Sequence, residues 1–102
     1  MPNAPAQDRV RLTAQVTGWV QGVGFRWSTY SLAQSLSLVG VAENLDNGDV
    51  LVIAEGPREQ CQRLLDWLHG TGTRTVRRPG RVDQVSVAWG TATGEFRRFS
   101  TR

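Results

Sequence analysis

A chain of 102 residues, 39% of them hydrophobic and 21% charged, is long enough for one two-layer domain and too short for two. Its single cysteine excludes an internal disulfide, its single histidine argues against a zinc site of His and Cys ligands, and the absence of lysine excludes Schiff-base chemistry. All 12 basic side chains are arginine, and a net charge of +3 with a pI near 10.4 fits an anionic ligand and nucleic acid equally well.

Residues 1–8 are polar, contain two prolines and lack the apolar centre of a signal peptide; they read as a frayed lead-in to a single domain over 9–102. No apolar run approaches the roughly 20 residues that cross a bilayer, so a cytoplasmic protein is expected. Val10, Leu12, Ala14 and Val16 alternate with polar residues, the period of a half-buried strand. A glycine-rich stretch, Gly18-Trp19-Val20-Gln21-Gly22-Val23-Gly24-Phe25-Arg26, follows and leads into a helix over 27–36. Phe25, Thr29, Leu32, Ala33 and Leu36 share one helical stripe, while Trp27 and Tyr30 lie off it as candidates to flank the loop. Free N–H groups at a helix start attract anions, and a cation is poorly placed there unless an anion joins it. Arg26 at this position therefore points to a phosphate- or carboxylate-sized ligand.

A second strand is expected over 40–45. Asp46-Asn47-Gly48-Asp49 is a hairpin signal, and 50–55 is the return strand, apolar on both faces so that periodicity leaves its buried side open. Gly56-Pro57 opens a second helix, with Pro57 in its first turn. There Cys61, Leu64, Leu65 and Leu68 repeat at i, i+3, i+4 and i+7, and the helix stops at His69-Gly70. Cys61 reads as core packing and His69 as a favourable contact with the helix dipole. Residues 71–81 form a polar loop carrying Arg74, Arg77, Arg78 and Arg81, either a solvated surface or a steering device for an anion. Val82, Val85, Val87 and Trp89 mark a fourth strand. A short last strand over 95–101 has Phe96 and Phe99 as its apolar members. The order predicts an α+β, ferredoxin-like βαββαβ two-layer sandwich: an antiparallel sheet with two helices on one face and a short extra C-terminal strand.

The glycine-rich stretch resembles the acylphosphatase signature G-x-V-Q-G-V-x-F-R at every specified position: Gly18, Val20, Gln21, Gly22, Val23, Phe25 and Arg26. Gly40, Asn44, Gly48 and Val50 match a second block of that family, and the likeness continues through Glu55-Gly56-Pro57, Arg81-Val82 and Gly94-Glu95-Phe96. Ala42 stands where the family has valine, Asn47 where it has aspartate and Ser37 where it commonly has glycine. The last change costs stability if that position needs a positive φ. The loop over 71–81 is longer than is usual and carries extra arginines.

The resemblance implies a monomeric enzyme that hydrolyses acyl phosphates to carboxylate and phosphate with no metal and no cofactor. Its catalytic residues would be Arg26 and Asn44. Arg26 would hold the phosphate with the backbone N–H groups of Gln21, Gly22, Val23, Gly24 and Phe25, and Asn44 would orient the attacking water. The side chain of Gln21 is equally suited to touching the ligand and to bracing the loop, and Trp19 to walling the substrate and to packing. A carboxylate leaving group, with a pKa of roughly 4, needs no general acid. That suits a chain with no histidine dyad. The alternative is a non-catalytic anion- or nucleic-acid-binding domain of the same fold. RNA-recognition modules of this topology stack bases on aromatics of the central strands, and Val50-Leu51-Val52-Ile53-Ala54 carries none, so nucleic acid is not the expected partner.

Overall fold

A computed structural model of the chain describes residues 9–72 and 76–102. The lead-in over 1–8 and Arg74 of the arginine-rich loop lie outside the described residues. The elements run β1 (Arg9–Trp19), α1 (Phe25–Ser35), β2 (Val39–Asn44), β3 (Val50–Pro57), α2 (Arg58–Leu68), β4 (Arg81–Thr91) and β5 (Phe99–Thr101). They form one five-stranded sheet in the order β4-β1-β3-β2-β5. The first four strands pair antiparallel, as expected, and β5 joins the outer edge of β2 in parallel, which makes the sheet mixed.

Alternation in β1 sets the core. Leu12, Ala14 and Val16 are fully buried and face Ala54, Val52 and Val50 of β3, which settles the side of β3 that turns inward. Leu51 and Ile53, on the other face, are only half-buried. Helix α2 lies over β1 and β3 and contributes Cys61, Leu64, Leu65 and Leu68. Helix α1 lies over β2 and β5 and contributes the expected stripe of Phe25, Thr29, Leu32, Ala33 and Leu36. The one polar member, Thr29, donates its hydroxyl to the Phe25 carbonyl at 2.8 Å, so its burial leaves nothing unpaired. Pro57 sits at the N-cap of α2, one position before the first turn.

Two local readings are settled by geometry. Ser37 adopts φ +58. It closes α1 with the bonds Ser37 N–H to Gln34 at 3.0 Å and Leu38 N–H to Ala33 at 2.9 Å, a left-handed cap that glycine would adopt without strain. The last strand is shorter than expected. Residues 92–98 cross from the β4 edge of the sheet to the β2 edge, and the crossing is pegged by side chains instead of a ladder. Buried Glu55 accepts the N–H of Thr93 at 2.9 Å, the N–H of Gly94 at 3.0 Å and the Thr93 hydroxyl at 2.9 Å. Phe96 lies under the Arg11 guanidinium, 5.5 Å from ring centre to carbon. Only at Phe99, opposite Gly40, is the chain beside β2 and able to pair.

Candidate active site

The glycine-rich loop leaves β1 and turns into α1 through two left-handed residues, Gly22 at φ +77 and Gly24 at φ +86. A Cβ at either position would meet no atom within 4 Å, so these glycines serve backbone shape and face open space. Gly24 is the N-cap of α1 and offers no capping side chain, and the first turn contains no acidic residue. From Gln21 to Arg26, no main-chain N–H has an acceptor among the described residues. A helix start with bare donors and no carboxylate is electropositive and ready for an anion.

The loop is held against the β2–β3 hairpin by one side chain. The Gln21 amide donates to the carbonyls of Leu45 at 2.7 Å and Asp49 at 2.8 Å. Of the two uses open to this side chain, it makes the brace. The hairpin is closed by Leu45 N–H to Asp49 at 2.9 Å and by the Asn47 side chain accepting the Asp49 N–H at 3.0 Å. Asn44, the last residue of β2, is thereby fixed opposite the mouth of α1.

A cavity of about 140 Å³ lies between them, lined by Val20, Gly22, Gly24, Phe25, Arg26, Trp27 and Asn44. The structure thus brings Arg26 and Asn44 together. Gln21 and Val23 do not line this cavity; Val23 packs partly into the core. The Asn44 Oδ1 is buried and has no hydrogen-bond partner among the described residues. An Arg26 Nη1 N–H donates to the main-chain oxygen of Arg102, which also accepts the Asn44 N–H at 3.0 Å. One oxygen just past β5 therefore holds both residues and leaves the other guanidinium donors to a ligand. Sequence reasoning missed Val20 and Arg102. A contact made through a main-chain oxygen leaves no signature in residue type. Trp27, off the buried stripe of α1 and 67% exposed, does flank the cavity; Trp19 is 65% exposed and does not line it.

Of the remaining candidates, Cys61, Trp67, Arg78 and Arg81 have structural surroundings. Burial pushes the Cys61 thiol up to about 11, so it is inert at neutral pH. Trp67 is buried and donates its indole N–H to Val76 at 2.7 Å. Arg78 satisfies the Leu68 carbonyl at the end of α2 at 2.9 Å, and Arg81 pairs with Asp83 at 3.0 Å. A larger cavity, about 330 Å³, opens between Trp67, Thr71, Val76, Arg77 and Arg78. It contains neither loop amides nor Asn44, so size alone does not mark the site. Among the described residues no three His, Cys, Asp or Glu side chains are grouped to hold a metal ion, and no helix is long and apolar enough to cross a membrane. The outer face of β3 carries Leu51 and Ile53, with no aromatic platform for bases.

Comparison with known proteins agrees with this geometry. The acylphosphatase family model matches residues 12–101. A Mycobacterium tuberculosis acylphosphatase is 52% identical over 93 residues, covering 91% of this chain and 95% of its own, and one from Thermobifida fusca is 50% identical over 95 residues, covering 93% and 99%. The structure of an acylphosphatase from Coxiella burnetii superposes with a TM-score of 0.82 at 28% identity, covering 99% of this chain and 100% of that one. The chain belongs to the acylphosphatase family.

Proposed function

We propose that Arg26 and the loop amides grip the phosphoryl group of an acyl phosphate while Asn44 aims a water at its phosphorus. The chain is an acylphosphatase: it hydrolyses the carboxyl-phosphate bond to a carboxylate and phosphate. The observation that carries the residue assignment is one cavity lined by Arg26, by Gly22, Gly24 and Phe25, whose main-chain N–H groups have no acceptor among the described residues, and by Asn44, whose buried carboxamide oxygen has no partner among them.

In this reading the amides of Gly22, Gly24 and Phe25, which line the cavity, and the free N–H groups of Arg26 surround the non-bridging oxygens and stabilise the charge that develops there, while Gln21 and Val23 shape the loop around them. The Asn44 Oδ1 accepts a hydrogen bond from water. An amide is not basic at neutral pH, so it orients the water without deprotonating it. As the water oxygen bonds to phosphorus, the bridging P–O bond breaks and its electron pair leaves on the carboxylate. The water's proton passes to a phosphoryl oxygen or to solvent. Since the carboxylate leaves without protonation, no general acid is required, and the reaction proceeds with neither metal nor cofactor. A cytoplasmic monomer completes the reading; sedimentation and cell fractionation test those two points.

Hydrolysis of acetyl phosphate in ¹⁸O-labelled water, with a chelator present, tests the mechanism. The account expects undiminished turnover with the label in phosphate. It expects an alkyl phosphomonoester, whose alkoxide must be protonated to leave, to be a poor substrate. Label in the acetate, loss of activity to the chelator, or comparable turnover of the alkyl ester would contradict it.

A further inference from the structure

Trp27, which lines the cavity that holds Arg26, is one end of a row of aromatic rings. The Trp27 ring stacks on Tyr30 with centroids 5.2 Å apart, and Tyr30 leans on Phe99 of β5 at 6.5 Å. Beyond this pair lies a second cavity of about 260 Å³, lined by Tyr30, Gln34 and Ser37 from the helix side and by Arg97, Arg98 and Phe99 from the strand side. Arg97 and Arg98 are both exposed, and among the described residues neither guanidinium has an ion pair or hydrogen bond. Two adjacent cations beside a concave surface, with no carboxylate to neutralise them, favour an anion.

Two elements give the spacing independently. Along α1, at 1.5 Å per residue, Tyr30 lies about 6 Å and Gln34 about 12 Å from Arg26. Across β5 and the residue on either side of it, at about 3.3 Å per extended residue, Arg98 lies about 13 Å from Arg102, whose main-chain oxygen touches Arg26. We propose, on the basis of the phosphoryl site described above, that this groove holds the acyl half of the substrate. The substrates it selects are then acyl phosphates whose acyl chain carries a second anionic group, a carboxylate or a phosphate, about 10 Å from the phosphorus. The stacked Trp27–Tyr30 pair is the apolar floor under the connecting chain, and Arg97 and Arg98 take the distal anion by charge-assisted hydrogen bonds.

The test compares the monophosphate of suberic acid, which places a free carboxylate at this distance, with octanoyl phosphate, which has the same length and no second charge, and with acetyl phosphate. Wild type is expected to turn over the suberoyl compound with a kcat/KM about tenfold above that of octanoyl phosphate. The double variant Arg97→Ala/Arg98→Ala should lose that advantage and keep both other substrates within about twofold. Arg63→Ala, which removes a charge on the outside of α2, should keep the advantage. Equal use of the two long substrates by wild type, an equal loss on all three substrates in the double variant, or the same loss in Arg63→Ala would each overturn the proposal. Turnover of acetyl phosphate that survives Arg26→Ala would instead overturn the phosphoryl site beneath it.

Discussion

Two buried polar groups sit at opposite ends of the β2–β3 ladder, and they differ in what surrounds them. Glu55, paired with Val39, is fully buried and has its oxygens filled by two backbone N–H groups and a hydroxyl, with the Arg11 Nε 3.5 Å away. Asn44, paired with Val50, has a buried oxygen with no partner among the described residues, opposite a loop whose donors are equally unused among them. A satisfied buried charge is a structural peg. An unsatisfied buried group costs free energy, and one that faces a cavity lined by unused loop donors is best explained by a ligand that completes it. The same sheet thus separates the peg of the fold from the proposed site by about five residues of strand, roughly 16 Å.

Removing Arg26 should give the largest effect. Arg26→Ala is expected to lower kcat/KM on acetyl phosphate by at least about 100-fold and to weaken inhibition by phosphate, with thermal stability little changed. A variant that unfolds but whose folded fraction still turns over would move Arg26 to the structural side of the comparison.

Glu55→Gln should do the reverse, costing about 1–3 kcal/mol of stability while turnover per folded molecule stays within about threefold. Its pH dependence sharpens the point. Burial pushes the Glu55 carboxyl up, but the Thr93 and Gly94 N–H groups, the Thr93 hydroxyl and the Arg11 charge together hold it below the usual carboxylate range. A folded-state pKa below the unfolded one contributes stability at pH above the unfolded value, and that stability is lost as pH falls through the folded value. Wild type should therefore lose stability below about pH 4 more steeply than Glu55→Gln does, read from urea unfolding at several pH values. Parallel acid limbs would show that Glu55 is not the peg.

The smallest expected effect belongs to Ser37. Its left-handed φ costs about 1 kcal/mol that glycine avoids, so Ser37→Gly should raise Tm by about 4–8 °C with acetyl phosphate turnover unchanged. An unchanged Tm would mean that the cap is not strained.

The fold was legible because local signals agreed. Alternation in β1, the Asn-Gly hairpin and the i, i+3, i+4, i+7 stripe of α2 each predicted an element that the structure contains. The β3 faces were not legible, since Leu51 and Ile53 are as apolar as Val50 and Val52; only pairing with Leu12, Ala14 and Val16 decides between them. The length of β5 was misread because the backbone donors of Thr93 and Gly94 go to a side chain 38 and 39 residues away, a contact that no local pattern encodes. At the site, the loop could be read from its glycines and Arg26, while its link to Asn44 runs through Gln21 and the Arg102 oxygen and is visible only in three dimensions.

The most direct test of the assignment is Asn44→Ala, assayed at once for turnover of acetyl phosphate and for competitive inhibition by phosphate. The account predicts a fall in kcat of about 100-fold or more with the phosphate inhibition constant nearly unchanged, because the carboxamide serves the water and not the phosphoryl oxygens. Retained turnover, or phosphate affinity that falls in step with kcat, would contradict it.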